Sequence, residues 1–344
     1  MAENLKDAVL WEPIEGRKVH CFLCNWHCKI GEGKRGQCNV RKNVDGKLYS
    51  LNYHKLVAAN PDPIEKKPLF HFQPASKAFS IAAQGCNFRC DFCQNWHISQ
   101  IVKNEEELQG QAIEPKKLVE IAIKEKCQSM AYTYTEPTIF MELAADCAMI
   151  AKERGLKNVF VSNGYMTIQA VDFMKEWLDG INVDLKSFSE EYYKRLCKAK
   201  LAPVLETIDY IVKHTNIWME LTTLVVPGDN DSETELRQMA EWILKTCGPD
   251  MPWHISRFYP QYRHTDAEAT PVSTLQMAYD IAKEVGLHYV YIGNLHTKNG
   301  ENTYCPKCGH LLIEREGYYI AKNRVANGSC PDCHEKIAGF QLSG

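Results

Sequence analysis

Cys86, Cys90 and Cys93 stand in the run Gly85-Cys-Asn-Phe-Arg-Cys-Asp-Phe-Cys-Gln-Asn95, a CX3CX2C spacing that directly follows the apolar segment Phe79 to Ala83. Three thiolates this close together can hold three irons of a cubane cluster and leave the fourth iron open to an exchangeable ligand. A structural site would call for a fourth protein ligand, and the next cysteine, Cys127, lies beyond a predicted helix. A small metal knuckle completed by His97 is the competing reading. The aromatic Phe92 and the preceding strand weigh against it.

Two further cysteine groups flank this one. Cys305-Pro-Lys-Cys308 and Cys330-Pro-Asp-Cys333 form paired CX2C knuckles. Four soft ligands on two tight turns suit tetrahedral zinc, with a rubredoxin-like iron site as the competitor. The runs from Leu311 and from Gly317 read as ribbon strands between them. At the other end Cys21, Cys24, Cys28 and Cys38 can close a shell for zinc or support an auxiliary iron-sulfur cluster. His20 and His27 beside them read as surface residues. Cys147 and Cys247 continue the apolar stripes of predicted helices and read as core, while Cys127 and Cys197 carry no assignment.

Fifteen cysteines in a chain without a leader-like start, most of them in short-spaced clusters, point to metal rather than disulfides. No stretch approaches membrane-spanning length, so a cytoplasmic protein is expected. Lys and Arg number 40 against 43 Asp and Glu, and a net charge of -3 gives no reason to expect nucleic acid as a partner. With 344 residues, 45% of them hydrophobic, one large α/β domain with appendages is the natural allocation. The division expected is a Cys-rich module over 1–75, a barrel-sized domain over 76–297 and a ribbon over 298–344.

Something must aim the three cysteines. Apolar runs at Ala78 to Ala83, Ser129 to Tyr134, Asn158 to Ser162, Ile181 to Leu185, Ile217 to Val226 and Trp253 to Phe258 alternate with helical patterns near 115–126, 138–155, 167–178, 189–199, 203–214 and 232–246. Ser232-Glu-Thr-Glu235 reads as a capping box. A helix near 273–285 and a strand from Leu287 to Ile292 follow. The alternation predicts an α/β fold with a parallel sheet, either doubly wound or closed into a barrel. Strand alternation sets Asn182, Asp184 and Lys186 on one face, opposite Val183 and Leu185; a salt bridge between Asp184 and Lys186 is the plainer alternative to a binding role. Glu220 and Thr222 share a face of the next strand, as do His254 and Ser256 of the one after.

The cysteine run resembles the radical S-adenosylmethionine (SAM) superfamily, whose mark is CX3CXΦC with Φ aromatic, over roughly residues 76 to 295. The resemblance implies a partial (β/α)6 TIM-type barrel, with the chemistry at the C-terminal strand ends. It also implies a [4Fe-4S] cluster on Cys86, Cys90 and Cys93 whose open iron is chelated by SAM. The Asp184-Leu-Lys186 segment resembles that of glycyl-radical-enzyme activases, where the polar pair helps place SAM. Tyr134-Thr-Glu136-Pro-Thr138 resembles the superfamily's Gly-Gly-Glu-Pro element, with Thr135 in place of a glycine, and implies a SAM contact for Glu136. Ser162-Asn163-Gly164 resembles the activases' Thr-Asn-Gly turn, while His254 and Arg257 resemble polar residues near cofactor or substrate; Thr222, on the strand face it shares with Glu220, is a further cofactor-binding candidate.

Across its whole length the chain is similar to the AmmeMemoRadiSam system radical SAM enzymes, related to pyruvate formate-lyase activating enzymes. This implies reductive cleavage of SAM to a 5'-deoxyadenosyl radical that abstracts hydrogen from a small molecule or peptide. It further implies a one-electron donor such as flavodoxin or ferredoxin, and Memo-type and AMMECR1-type proteins as candidate partners. A glycyl-radical-enzyme activase acting on a partner protein is the alternative within the same chemistry. A non-catalytic zinc module recognising protein or RNA through the ribbon and a basic patch at Arg35, Arg41 and Lys42 is the alternative outside it. The flanking metal modules are expected to close or dock the substrate side.

Overall fold

An eight-stranded sheet forms the centre of the computed structural model, which describes residues 5–100, 107–295 and 300–343. Its strands are β1 (Leu56–Pro63), β2 (Lys77–Ala83), β3 (Ser129–Tyr132), β4 (Lys157–Ser162), β5 (Gly180–Asp184), β6 (Trp218–Val225), β7 (Trp253–Arg257) and β8 (Val290–Gly293). They neighbour one another in chain order. From β2 to β8 every pairing is parallel. A doubly wound sheet reverses its strand order part way across; this one does not, so the arrangement fits the partial-barrel alternative.

Besides the six strands expected before residue 260, the strand expected near Leu287 to Ile292 forms as β8 (Val290–Gly293), and β1 is unexpected. β8 adds a seventh parallel strand, and β1 pairs antiparallel with β2, Pro61 opposite Phe79 and Pro63 opposite Lys77. Prolines argue against a central strand because they cannot donate to the ladder, but an edge strand tolerates them. The division drawn at residue 75 therefore falls between two hydrogen-bonded strands of one sheet.

Helices α1 (Pro115–Lys124), α2 (Met141–Glu153), α3 (Ile168–Met174), α4 (Ala202–His214), α5 (Glu233–Cys247) and α6 (Val272–Val285) connect the strands. Ser232 caps α5 by accepting from the Glu235 N–H at 3.3 Å, but Glu235 turns away from the box and accepts from Ser187 Oγ and Phe188 N instead. Cys147 lies at zero exposure on α2, as its stripe predicts. Cys147→Ala is expected to cost about 1 to 2 kcal/mol through a small cavity, measured by denaturant melts, with SAM cleavage retained.

The expected helix near 189–199 breaks into one α turn, Glu190–Tyr192, and a π turn, Tyr193–Cys197. The carbonyls of Leu196 and Cys197 point away from the helix and accept the Asp91 and Arg89 N–H groups at 2.9 and 3.1 Å. A wider turn frees those carbonyls, a recurrent use of π geometry near functional sites.

The N-terminal residues make two three-stranded sheets, one of Lys6–Asp7, Lys47–Ser50 and Arg41–Val44, the other of Trp11–Ile14, Lys18–Cys21 and Cys28–Ile30. They share one apolar core with the barrel, Val19, Leu23, Val40 and Leu48 packing in the same cluster as the sheet. Arg41 is buried here in an ion pair with Glu142 of α2. It is therefore no part of a surface patch with Arg35 and Lys42.

The C-terminal strands Thr303–Tyr304, Leu311–Glu316 and Tyr319–Asn323 form an antiparallel ribbon. Its core merges with Phe70, Tyr289 and Tyr291 of the barrel. Among the described residues no helix is long and apolar enough to cross a membrane.

Candidate functional site

The cysteine loop leaves β2 through Gly85, whose φ of 113° is open to glycine at little cost. Cys86, Cys90 and Cys93 then line one side of a cavity of about 1100 Å³. Besides the π turn, the Arg89 guanidinium holds the loop by donating to the Cys86 carbonyl at 2.7 Å and the Phe88 carbonyl at 2.9 Å. Asn163 Nδ2 donates to Asn87 Oδ1 at 2.7 Å. Burial pushes all three thiols above their ordinary pKa, and for Cys90 the neighbouring Cys197 thiol is the largest cause. Such thiols release their protons to a metal that shares the charge. His97 is exposed and lies outside the lining, so the knuckle it would complete does not form.

The opposite wall is a row across adjacent strand ends. Asp184 registers with Thr222, Thr222 with His254, and His254 with Tyr291. All four line the cavity together with Glu136, Asn163 and Lys186. Because side chains alternate, one register level places one polar layer in the lumen.

Lys186 Nζ donates to Asp184 Oδ2 at 2.8 Å, so the plain salt bridge is present and sits inside the cavity. Burial opposes the Lys186 charge, but Asp184 and the Cys90 and Cys197 thiols drive its pKa upward. Its ammonium also lies 5.9 Å from the centre of the Phe92 ring, the aromatic residue of the cysteine run.

Glu136 is a brace. Its Oε1 accepts from Thr138 N, Thr138 Oγ1 and Ser162 Oγ at 3.1, 2.6 and 2.7 Å, and its Oε2 accepts from Asn163 N at 2.8 Å. Burial still holds its pKa above the usual carboxylate range. The residue two before it, Tyr134, has a φ of 65°, the region that suits a glycine. Its hydroxyl bonds Asp62, and the Lys67 ammonium lies 4.9 Å from its ring centre. Burial works against the Asp62 charge, but Lys67, Tyr134 and Lys66 hold that carboxyl well below the usual range. These contacts offset the strain where the superfamily element carries glycines. Gly164 is irreplaceable in a different way: with φ at 70°, a Cβ there would meet Val183 Cγ1 at 2.8 Å.

Thr222 Oγ1 is buried without a hydrogen-bond partner. An unpaired buried hydroxyl costs about 1 to 3 kcal/mol, which a bound ligand would recover. His254 Nε2 meets Glu220 Oε2 at 2.7 Å, and its ring stacks on Tyr291 at 5.2 Å. Arg257, in contrast, turns out of the lining: its Nε donates to the Thr270 carbonyl at 2.8 Å and its guanidinium covers Tyr259 at 5.1 Å.

Beneath the row lies a layer that residue types alone did not reveal. Glu220, with no exposure, accepts from Phe70 N, His71 N and Trp218 Nε1 at 2.9, 2.7 and 3.0 Å as well as facing His254. Burial works to raise its pKa, but His254 and His71 hold it below the usual range. Burial pulls His71 itself down to about 4 and keeps it neutral at pH 7. From the ribbon, Arg315 reaches into this layer, 4.3 Å from the Phe70 ring centre. Glu316, Gly317 and Tyr318 of the ribbon turn line the cavity itself. Cys197, unassigned from sequence, sits against Cys90 from behind, outside the cavity lining.

The other two cysteine groups differ in spacing. The four ribbon sulfurs all lie within 4.8 Å of one another, Cys305 facing Cys333 at 3.5 Å and Cys308 facing Cys330 at 3.7 Å. Cys21, Cys24, Cys28 and Cys38 lie close enough to feel one another's charge; burial and mutual repulsion raise Cys24 and Cys38, and burial pushes Cys28 up to about 11.

Known proteins match this architecture. The profile described as "Radical SAM superfamily" covers residues 80–241. An uncharacterized protein of Methanocaldococcus jannaschii is 44% identical over 338 residues, spanning 97% of this chain and 99% of the relative. A second protein of that organism, which carries the name of a glycyl-radical enzyme activating enzyme, is 24% identical and spans 62% of this chain and 79% of its own length. Among solved structures, Streptococcus suis SuiB bound to S-adenosylmethionine superposes with a TM-score of 0.50 at 12% identity, over 68% of this chain and 53% of SuiB. That likeness is one of fold. A profile that opens on the strand feeding the three cysteines, and a relative matched almost end to end, place this chain in the radical SAM superfamily, whose members are enzymes.

Proposed function

We propose that this enzyme cleaves S-adenosylmethionine reductively at a [4Fe-4S] cluster on Cys86, Cys90 and Cys93, and that the resulting 5'-deoxyadenosyl radical abstracts hydrogen from a small-molecule or peptide substrate. The observation that carries this reading is the shared cavity, lined by one buried and two half-buried thiols together with a row of polar strand-end residues. Its volume, about 1100 Å³, exceeds the usual ligand pocket of roughly 300 to 1,000 Å³ and leaves room for a second molecule beside SAM.

The residues fit that cofactor. Cys86, Cys90 and Cys93 would hold the cluster through three sulfurs, and a cluster held there would supply the electron for cleavage of the sulfonium bond. Lys186 and Asp184 would orient the polar end of SAM, and Thr222 Oγ1 would offer it an unused hydrogen bond. Glu136 and Asn163 keep the strand ends and the cysteine loop in register. His254 and Tyr291 face the remaining space. Arg257 acts through the Tyr259 loop rather than by direct contact.

Asp184→Ala and Lys186→Ala are expected to weaken SAM binding by about 1 to 3 kcal/mol while leaving the cluster assembled. Equilibrium binding on the reconstituted variants checks this; unchanged affinity in both would return the pair to a structural salt bridge.

Within the superfamily we assign the chain to the AmmeMemoRadiSam group, with zinc in the C-terminal ribbon and Memo-type and AMMECR1-type proteins as partners. A flavodoxin or ferredoxin would supply the electron. All described cysteines are free, as suits a reducing, cytoplasmic setting. A glycyl-radical activase is the second reading, favoured by the relative that carries that name. Anaerobic incubation with SAM, dithionite and both partner types, followed by mass analysis and by electron paramagnetic resonance (EPR) of the partners, separates the two. A carbon radical on a partner protein supports the activase, a new product without one supports the small-substrate reading, and neither outcome rejects both.

A further inference from the structure

Charge is uneven inside the cavity. Two lysines line it, and each is already paired: Lys66 Nζ donates to Asp62 Oδ1 at 2.9 Å and Lys186 Nζ to Asp184 Oδ2 at 2.8 Å. Among the described residues no arginine lines it. Against these stand the carboxylates of Glu65, from the segment after β1, and of Glu301 and Glu316, from the ribbon. Arg315 adjoins Glu316 and faces the charge of both Glu65 and Glu301. Its guanidinium stays outside the lining, because its terminal nitrogens donate to the Glu301 and Phe70 carbonyls and to Thr303 Oγ1, and the Phe70 ring covers it at 4.3 Å.

Glu65 is built into this wall. It is 1% exposed, its Oε1 accepts from Ala75 N at 2.8 Å, and its Oε2 is buried without a hydrogen-bond partner. A carboxylate oxygen left this way in a protein interior is costly unless something donates to it. Burial raises the Glu65 pKa, and a cation arriving beside it would restore the charge. Glu316 is its accessible counterpart, exposed at the ribbon turn and with no ion pair among the described residues. Phe70, Tyr291 and the half-exposed Tyr318 line the cavity with them. Carboxylates interleaved with aromatic rings suit an organic cation.

Glu65 enters away from the cysteine loop. Pro63, which ends β1, pairs with Lys77, the first residue of β2, while the cysteine loop leaves β2 beyond Ala83. A strand of that length puts ~20 Å between its two ends. Glu65 follows Pro63 by two residues, at the end remote from the thiols.

We propose that Glu65 and Glu316, backed by Glu301 and the rings of Phe70 and Tyr318, bind a positively charged nitrogen of the substrate, so that the molecule presented to the radical is an amine, either a free small amine or the basic side chain of a peptide. This rests on the proposed SAM cleavage and names the class of substrate that the cleavage serves.

The full chain, reconstituted anaerobically and kept oxidised with SAM present, is titrated calorimetrically with n-pentylamine and with the peptide acetyl-Gly-Lys-Gly-amide. Pentanoate and acetyl-Gly-Glu-Gly-amide serve as the anionic counterparts. At least one cation is expected to bind at least tenfold more tightly than its counterpart, and Glu65→Gln and Glu316→Gln are each expected to lower that affinity at least fivefold. Tighter binding of pentylamine assigns a free amine, and tighter binding of the peptide a basic side chain. Equal affinity for cation and anion, no binding of either cation, or unchanged affinity in either variant overturns the proposal. A fivefold loss of SAM affinity in place of cation affinity also overturns it, because the acids then serve the cofactor. Should Glu65→Gln not fold, Glu316→Gln at the exposed turn decides alone. Cation binding as expected, beside SAM that stays intact when the cluster is reduced, would instead sink the cleavage reading and leave the cation site standing.

Discussion

Replacing Cys86, Cys90 or Cys93 by alanine is expected to abolish 5'-deoxyadenosine formation. With one thiolate gone, the cubane loses one of its three protein anchors, and the open iron is no longer the only uncommitted position. Among the described residues no other cysteine lines the cavity. His97 is exposed and outside the cavity, and Cys197, although it touches Cys90, lies behind the loop. The loop's shape should survive the loss of one thiol's contacts, since Arg89, Asn163 and the π-turn carbonyls also hold it. A Cys90→Ala chain is therefore expected to melt within a few degrees of the metal-free wild type while forming no detectable product. Product at the wild-type rate in any of the three variants would remove the triad from the chemistry.

Arg315→Ala is expected to cost about 3 to 5 kcal/mol of stability, a large share of what holds a typical domain together. Its guanidinium donates to the Glu301 and Phe70 carbonyls at 3.0 and 2.8 Å and to Thr303 Oγ1 at 2.8 Å, and it covers Phe70 and Tyr291. Glu65, Glu220 and Glu301 are buried carboxylates whose charge it faces. Truncation leaves these acceptors unsatisfied and the carboxylates without their cation. Deleting 298–344 goes further, baring Phe70, Tyr289 and Tyr291 and taking the Ala338 carbonyl from His71 Nδ1. The shortened chain is expected to aggregate, so the ribbon is part of the fold as well as a wall of the cavity. Urea melts of Arg315→Ala and Arg315→Lys check this; a loss below 1 kcal/mol in the alanine variant would contradict it.

The local patterns were legible and the long-range ones were not. Cysteine spacing and the two-residue alternation in Asn182 to Lys186 are carried by adjacent residues, so sequence displays them directly. The register that aligns Asp184, Thr222, His254 and Tyr291 joins four strands, and nothing within any one strand announces it. Glu220 looks like a lumen polar residue by alternation; its partners Phe70 and His71 come from the loop before β2, far off in the chain. Arg41 misleads for the same reason. A basic residue in a glycine-rich polar run reads as surface until Glu142 of α2 is seen to meet it. Edge strand β1 stayed hidden because its prolines carry a signal that only its position at the sheet margin overrides.

The most direct test of the account is anaerobic: the reconstituted full chain, reduced with dithionite, is mixed with SAM and the products are quantified. Methionine and 5'-deoxyadenosine are expected in equal amounts, dependent on the cluster and absent in Cys93→Ala. A chain carrying a reduced four-iron cluster on Cys86, Cys90 and Cys93 that leaves SAM intact would contradict it.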